Sequence, residues 1–361
     1  MKILFTGGGT LGSVTPLLAI AEELRARGGD LEFIWIGTSA GPERALVEAA
    51  GIPFSSIVSA KFRRYFDLRN FSDPFLLVMG IIQSARVIRR FKPDVIVNAG
   101  SYIGVPVLIA GSLLGSRGVV LQLDLVPSLS NQLAAGFVDA ILAGYDESAG
   151  AFSPKKTRTI GIPVRAAYRD STLITRAKSE LLRRYGIRKD FPLLLVLGGG
   201  TGAEFLNTLV RSTLSQLCTG AHVLLVTGKG KGSVPPIVHA GYTEVELLEH
   251  ELPLVMARAD AVATRAGMGT LAELCALQKP IVIIPIPGSH QEANARFFEK
   301  NHAARVLQQD QCTPDCFLSV ARDLLYDADR RALLARGMEK LDRPESVSKI
   351  AALLSQYEKK K

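Results

Sequence analysis

The chain has 361 residues, of which 47% are hydrophobic and 21% charged; that balance excludes a disordered chain, and the length exceeds the usual size of a single core, so two domains are expected. The formal net charge of +9 favours an anionic partner, such as a phosphorylated substrate or a phospholipid surface. It does not indicate nucleic acid, because Trp35 is the only tryptophan and no basic run interleaves with aromatics.

The four cysteines, Cys218, Cys275, Cys312 and Cys316, have no histidine at ligand spacing, so they read as reduced thiols and no metal site is expected. No apolar run reaches the ~18–20 residues needed to span a bilayer, and Met1 runs straight into KILFT without a leader. The expectation is a cytoplasmic protein.

In chain order, an apolar strand over Lys2 to Thr6 leads into the loop GGGTLGS and a helix from Val14 to Arg27. Gly7, Gly9 and Gly12 formally fit a dinucleotide fingerprint, but the acidic partners at the right distance, Asp30 and Glu32, precede or begin the next strand rather than end it. NAD binding is therefore not expected. A strand over Leu31 to Gly37, a helix over Pro42 to Ala50 and a short strand near Phe54 to Val58 continue the alternation.

The segment from Phe71 to Phe91 is apolar with little amphipathic relief, while Arg86, Arg89, Arg90 and Lys92 crowd its far end. Two readings stand: a helix buried on all sides, or a membrane-surface patch in which Phe75, Leu76, Met79 and Ile82 enter the interface. Lys61, Arg63, Arg64 and Arg69 would widen the basic rim. A strand over Asp94 to Val97 then enters NAGSYIGVP and a helix over Val105 to Leu114. Strand Val119 to Leu121 ends in QLDLVP, which leaves Asp124 at a strand-to-helix loop.

After a strand over Ala140 to Leu142 and the turn IGIPVR, residues Pro163 to Thr175 read as a linker. A helix over Arg176 to Tyr185 introduces the strand Leu193 to Leu197 and a second glycine loop, GGGTGAEFLN. Each half thus opens with a strand, a GGGT loop and a helix, and each continues as alternating β and α. Two doubly wound domains facing a cleft are expected, over residues 1–163 and 164–343, with a tail over 344–361 that packs back on the first.

The richest stretch is Ala263 to Ala295, ATRAGMGTLAELCALQKPIVIIPIPGSHQEANA. It reads as a strand end, a glycine-bearing turn and a helix over Thr270 to Leu277 with Glu273 in its first turn. A strand over Pro280 to Ile284 and a helix opening at His290 or Gln291 follow. Strand-to-helix loops lie at the carboxyl edge of a parallel sheet, where helix amino termini present N–H groups to anions. Glu273, with acceptors only, suits two ribose hydroxyls, or serves as an ordinary first-turn acid.

These motifs, together with KPDVIVNAGSYIGVP and IGIPVR, resemble the MurG-like family 28 glycosyltransferases of bacterial cell-wall synthesis over nearly the whole chain. The resemblance implies a GT-B fold and metal-free, inverting transfer of N-acetylglucosamine from UDP-N-acetylglucosamine to a polyprenyl-pyrophosphate-linked muramyl peptide, with no cofactor. It also implies a peripheral position on the cytoplasmic face of the membrane. On the donor side, Leu248 would meet uracil, Glu273 ribose, and Met268, Gly269 and Thr270 the diphosphate. Leu271 and Ala272 complete that stretch, Gln291 and Asn294 would touch the sugar, and Arg165 would neutralise phosphate. Where the family has a serine in the second glycine loop, this chain has Gly200, with Thr201 the nearest hydroxyl.

The acceptor side departs from the pattern. The family's first loop ends Gly-Gly-His, and here it reads Leu11-Gly12-Ser13; its HEQN segment is replaced by Gln122-Leu123-Asp124-Leu125. Thr10, Leu11, Gly12, Tyr102 and Asn131 are the expected acceptor-side residues, and Ser13 and Asp124 the catalytic positions. Ser13 is too weak a base alone; Asp124 is the nearest acceptor-side carboxylate, and it reads either as the base or as a residue that only caps the following turn. The departures keep two alternatives open: a UDP-sugar transferase with another lipid or glycan acceptor, and a donor-binding homologue without catalysis.

Overall fold

The computed structural model describes residues 1–60, 73–187, 190–199, 202–248 and 250–358. Gly200, Thr201, Lys61, Arg63, Arg64 and Arg69 lie outside the described residues. Two compact units form: residues 1–166 with 343–361, and residues 167–342.

The first unit is a seven-stranded parallel sheet in the order β3-β2-β1-β4-β5-β6-β7. Its strands are β1 (Lys2–Thr6), β2 (Glu32–Gly37), β3 (Phe54–Ser56), β4 (Val95–Asn98), β5 (Arg117–Gln122), β6 (Ala140–Ala143) and β7 (Thr157–Thr159). Its helices are α1 (Thr15–Arg27), α2 (Glu43–Ala49), α3 (Asp73–Phe91), α4 (Gly104–Leu113), α5 (Leu129–Ala134) and α6 (Asp146–Ala149). Central strands bury both faces, so β1 and β4 are apolar almost throughout. The short α5 was not foreseen; Ser128 caps it by accepting from the Asn131 N–H at 3.2 Å.

The second unit begins with α7 (Leu173–Tyr185) and holds a six-stranded parallel sheet in the order β10-β9-β8-β11-β12-β13. The strands are β8 (Leu193–Leu197), β9 (His222–Val226), β10 (Tyr242–Val245), β11 (Ala261–Thr264), β12 (Ile281–Ile283) and β13 (Arg305–Val306). Helices α8 (Glu204–Leu217), α9 (Leu252–Arg258), α10 (Met268–Ala276), α11 (Gln291–Lys300), α12 (Pro314–Tyr326) and α13 (Ala328–Leu341) cover it. Leu194, Val196, Leu206, Val210, Phe317 and Leu324 sit in one continuous core between β8, α8 and α12.

The last helix, α14 (Ser346–Ser355), belongs to the first unit, where it packs on α1. The Ser346 hydroxyl donates to the Ile162 carbonyl at 2.9 Å, and Arg27 donates to the Ser348 carbonyl at 2.8 Å. In each sheet the strand order reverses once, between β1 and β4 and between β8 and β11. Loops at such switch points are where doubly wound sheets bind ligands.

Candidate active site

In the second unit, the switch-point loop after β11 feeds α10. Gly267 at the N-cap is extended and has no side chain to cap the helix. The N–H groups of Met268, Gly269 and Thr270 precede the first intrahelical bond, from Leu271 N–H to the Gly267 carbonyl at 3.0 Å. Partly exposed Gly269 and Thr270 thus present a helix amino terminus with its positive dipole end outward. Met268, Leu271 and Ala272 are buried, so only their backbone can face a ligand.

Glu273 is not in the first turn. The helix begins two residues earlier than its sequence pattern suggests, because Gly267 already supplies the extended cap and Met268 packs inward, which moves Glu273 into the second turn. The residue is 6% exposed.

Three side chains lock this loop to the next one. The Gln291 side-chain oxygen accepts from Ala266 N–H at 3.3 Å and from Ile286 N–H at 3.2 Å, while Asn294 donates to the Ala266 carbonyl at 3.0 Å. Arg265 donates to the carbonyls of Ile284 at 2.8 Å and Pro285 at 3.1 Å, and to the Gln309 side-chain oxygen at 2.7 Å. Burial pulls the Arg265 guanidinium below its ordinary value, with Cys312 opposing. Two loops on adjacent strands β11 and β12 therefore act as one rigid rim. Sequence reasoning missed Arg265, although a lone arginine between an apolar strand and a glycine turn was a visible signal.

Further along the same edge, Leu248 is buried just beyond β10. Lys231 reaches the Gly202 carbonyl at 3.4 Å, and Asn207 of α8 donates to the Thr227 carbonyl at 3.1 Å. The glycine loop after β8 and the loop after β9 are joined by these bonds. Arg165 lies in the first unit and forms an ion pair with Glu22 of α1 at 2.8 Å.

In the first unit the loop Gly7 to Ser13 is tied internally. Ser13 is buried; its hydroxyl accepts from Gly8 N–H at 3.2 Å and donates to the Thr10 carbonyl at 3.4 Å. Thr10 and Gly12 are exposed at the loop tip and Leu11 is partly so. The Ser101 hydroxyl donates to the Gly8 carbonyl at 2.8 Å, which joins the loops after β1 and β4. Tyr102 stands against Gly9, where a Cβ would come within 2.9 Å of its ring. Burial, and then the Glu43 charge, raises the Tyr102 phenol, so it remains a hydrogen-bond donor.

The loop after β5 is braced from below. Asn131 is buried and donates to the Gln122 side-chain oxygen at 2.7 Å and to the Leu121 carbonyl at 3.2 Å, and Gln122 donates to the Asp124 carbonyl at 2.6 Å. Asp124 is held in a partly exposed position at that loop. Asn131 and Gln122 thus shape the loop's backbone.

The N-terminal domain of glycosyltransferase family 28 matches residues 3–143, and its C-terminal domain matches residues 193–350. The chain belongs to glycosyltransferase family 28. A relative from Clostridium botulinum, UDP-N-acetylglucosamine--N-acetylmuramyl-(pentapeptide) pyrophosphoryl-undecaprenol N-acetylglucosamine transferase, is 33% identical over 99% of both chains. A Legionella pneumophila protein of the same name is 35% identical over 91% of this chain and 90% of its own.

Among solved structures, Acinetobacter baumannii MurG superposes with a TM-score of 0.70 at 21% identity, covering 98% of this chain and 99% of that one. A UDP-GlcNAc 2-epimerase from Neisseria meningitidis bound to UDP-GlcNAc gives 0.72 at 14% identity, covering 99% and 100%. The family 28 chain therefore has the GT-B fold of two Rossmann-like units.

Proposed function

We propose that this family 28 enzyme transfers N-acetylglucosamine from UDP-N-acetylglucosamine to undecaprenyl-pyrophosphoryl-N-acetylmuramyl-pentapeptide, the step from lipid I to lipid II in peptidoglycan synthesis. The observation that carries it is the full-length match to transferases of that name at 33% identity. The uncapped α10 terminus agrees with it, since a helix start suits a diphosphate.

In this reading the N–H groups of Met268, Gly269 and Thr270 hold the diphosphate and stabilise the charge that grows on it as the glycosidic bond breaks. Glu273 accepts from the ribose hydroxyls, Leu248 offers backbone to uracil, Gln291 borders the sugar, and buried Asn294 holds the Ala266 loop behind it. An acceptor hydroxyl attacks the anomeric carbon with inversion, UDP leaves, and the Asp124 carboxylate takes the hydroxyl proton. Thr10, Leu11, Gly12 and Tyr102 line the acceptor side. Arg165, which pairs with Glu22, neutralises phosphate charge.

The acceptor is membrane-anchored, and α3 offers the means to approach it at the cytoplasmic face. Phe75, Val78 and Ile82 are 66%, 53% and 49% exposed, whereas the buried positions of α3 are Gly80, Ser84 and Ile88. Of the two readings of this segment, the exposure favours the membrane surface. Arg86, Arg89 and Arg90 are exposed nearby and match anionic headgroups. No helix among the described residues is long and apolar enough to cross a membrane.

The reading is tested by UDP release from purified protein with UDP-N-acetylglucosamine and verified lipid I. Release that depends on both substrates, with lipid II as product, is expected. No release with that acceptor, but release with another lipid or glycan, would reassign the substrate.

A further inference from the structure

The first glycine loop has the form of an anion cradle, yet the amides of its first three glycines are already engaged. Gly7 N–H donates to the Ile36 carbonyl at 3.4 Å, Gly8 N–H to the Ser13 hydroxyl at 3.2 Å, and Gly9 N–H to Oε2 of Glu43 at 3.2 Å. Glu43 opens α2 and is 0% exposed. Its other oxygen accepts from Thr38 N–H at 2.7 Å and from the Thr38 hydroxyl. Three donors thus converge on a group that has acceptors only.

The surroundings are shaped to the carboxylate. A Cβ added at Gly8, Gly37 or Gly41 would come within 2.2, 3.1 or 1.9 Å of its oxygens, so the three glycines form a sleeve that no side chain could share. Tyr102 lies against Gly9 and senses the Glu43 charge.

We propose that Glu43 is a positioning residue: its carboxylate takes the place of a bound anion beside the first three glycines of the loop and fixes Gly9 and Tyr102 for acceptor binding. The proposal rests on the transferase reading above. A glutamine at this place must turn an N–H toward one of the three donors, and an alanine leaves two amides and a hydroxyl facing an empty space.

The test compares wild type, Glu43→Gln and Glu43→Ala in steady-state transfer with lipid I, alongside UDP titration. Acceptor kcat/KM should fall roughly tenfold or more in Glu43→Gln, the scale for hydrogen bonds to a charged group, and further in Glu43→Ala. UDP affinity should stay within about twofold of wild type. Sodium formate should restore part of the Glu43→Ala loss, and sodium chloride at equal ionic strength should not.

Unchanged acceptor parameters in Glu43→Gln, or equal losses toward donor and acceptor, would overturn the proposal. So would a folded Glu43→Ala protein that formate does not rescue. If Glu43→Ala fails to fold, the glutamine variant decides alone. Failure of the wild type to use lipid I would instead count against the transferase reading.

Discussion

Both units carry a strand, glycine turn and helix at their switch points, and the loops after β1 and β11 spend their amides differently. In the first unit, Gly7, Gly8 and Gly9 donate to Ile36, Ser13 and Glu43, one of them a carboxylate. In the second, Gly267 leaves the α10 terminus without a side-chain cap, while Gln291, Asn294 and Arg265 stiffen the loop from behind. A glycine loop is thus permission for close approach and not an assignment of ligand. In the first unit a residue delivered by a neighbouring element, Glu43, meets the Gly9 amide, and no such side chain caps α10 in the second.

The largest expected effect tests the acceptor half of that contrast. Asp124→Asn should lower turnover by about 10²- to 10⁴-fold, the usual worth of general base catalysis, with UDP affinity near wild type. Turnover close to normal, measured as UDP release with verified lipid I, would remove Asp124 as the base.

A second difference between the units is histidine: all five, His222, His239, His250, His290 and His302, lie in the second. Burial, and then the Arg258 charge, lowers His222 to about 4. Its Nε2 sits 2.9 Å from the Thr243 hydroxyl, which donates its own proton to the Tyr185 carbonyl, so Nε2 carries the hydrogen. The unfolded chain takes up a proton first, so stability is lost as pH falls from about 6.5 toward about 4, by about 2–3 kcal/mol. Chemical denaturation at pH 7 and pH 4.5 should show this loss, reduced in His222→Gln. An equal loss in that variant would place the acid sensitivity elsewhere.

The donor half is tested at Glu273. If its carboxylate holds ribose, Glu273→Ala should weaken UDP binding by about 1.5–3 kcal/mol. Calorimetry that finds unchanged affinity would return Glu273 to a structural part in α10.

The alternation of strands and helices was legible because apolar runs such as Leu193 to Leu197 and glycine turns mark parallel α/β units directly. Helix starts were less so: the sequence placed the start of α10 at Thr270, whereas a glycine cap and an inward methionine set it at Met268. Glu43 was not legible at all, since an acid opening a helix is commonplace and only the fold brings it beneath Gly9. Asn131 read as an acceptor-side residue, and its Nδ2 donates to Gln122 and Leu121, a bracing part that depends on tertiary partners no sequence pattern displays. For α3, the apolar content was plain, but which side faces solvent depends on packing, in which Gly80 lies close to Pro106 of α4.

The smallest effect per residue concerns that helix. Each basic residue near an anionic surface contributes about 1 kcal/mol, and the attraction decays over a Debye length of about 10 Å at 0.1 M salt. Reversing Arg86 and Arg89 together should therefore weaken binding to anionic vesicles by roughly 30-fold or more and steepen its loss with salt. Phe75→Ser acts through a different term: an exposed aromatic that enters the interface loses apolar burial, so binding should weaken at every ionic strength. Sedimentation with phosphatidylglycerol and phosphatidylcholine vesicles separates the two, because the charge reversals should matter only on the former. Binding that is absent, or equal on both lipids in all variants, would leave the exposed face of α3 without a membrane role. Neither set of changes should alter UDP affinity, because α3 belongs to the first unit and the α10 terminus to the second.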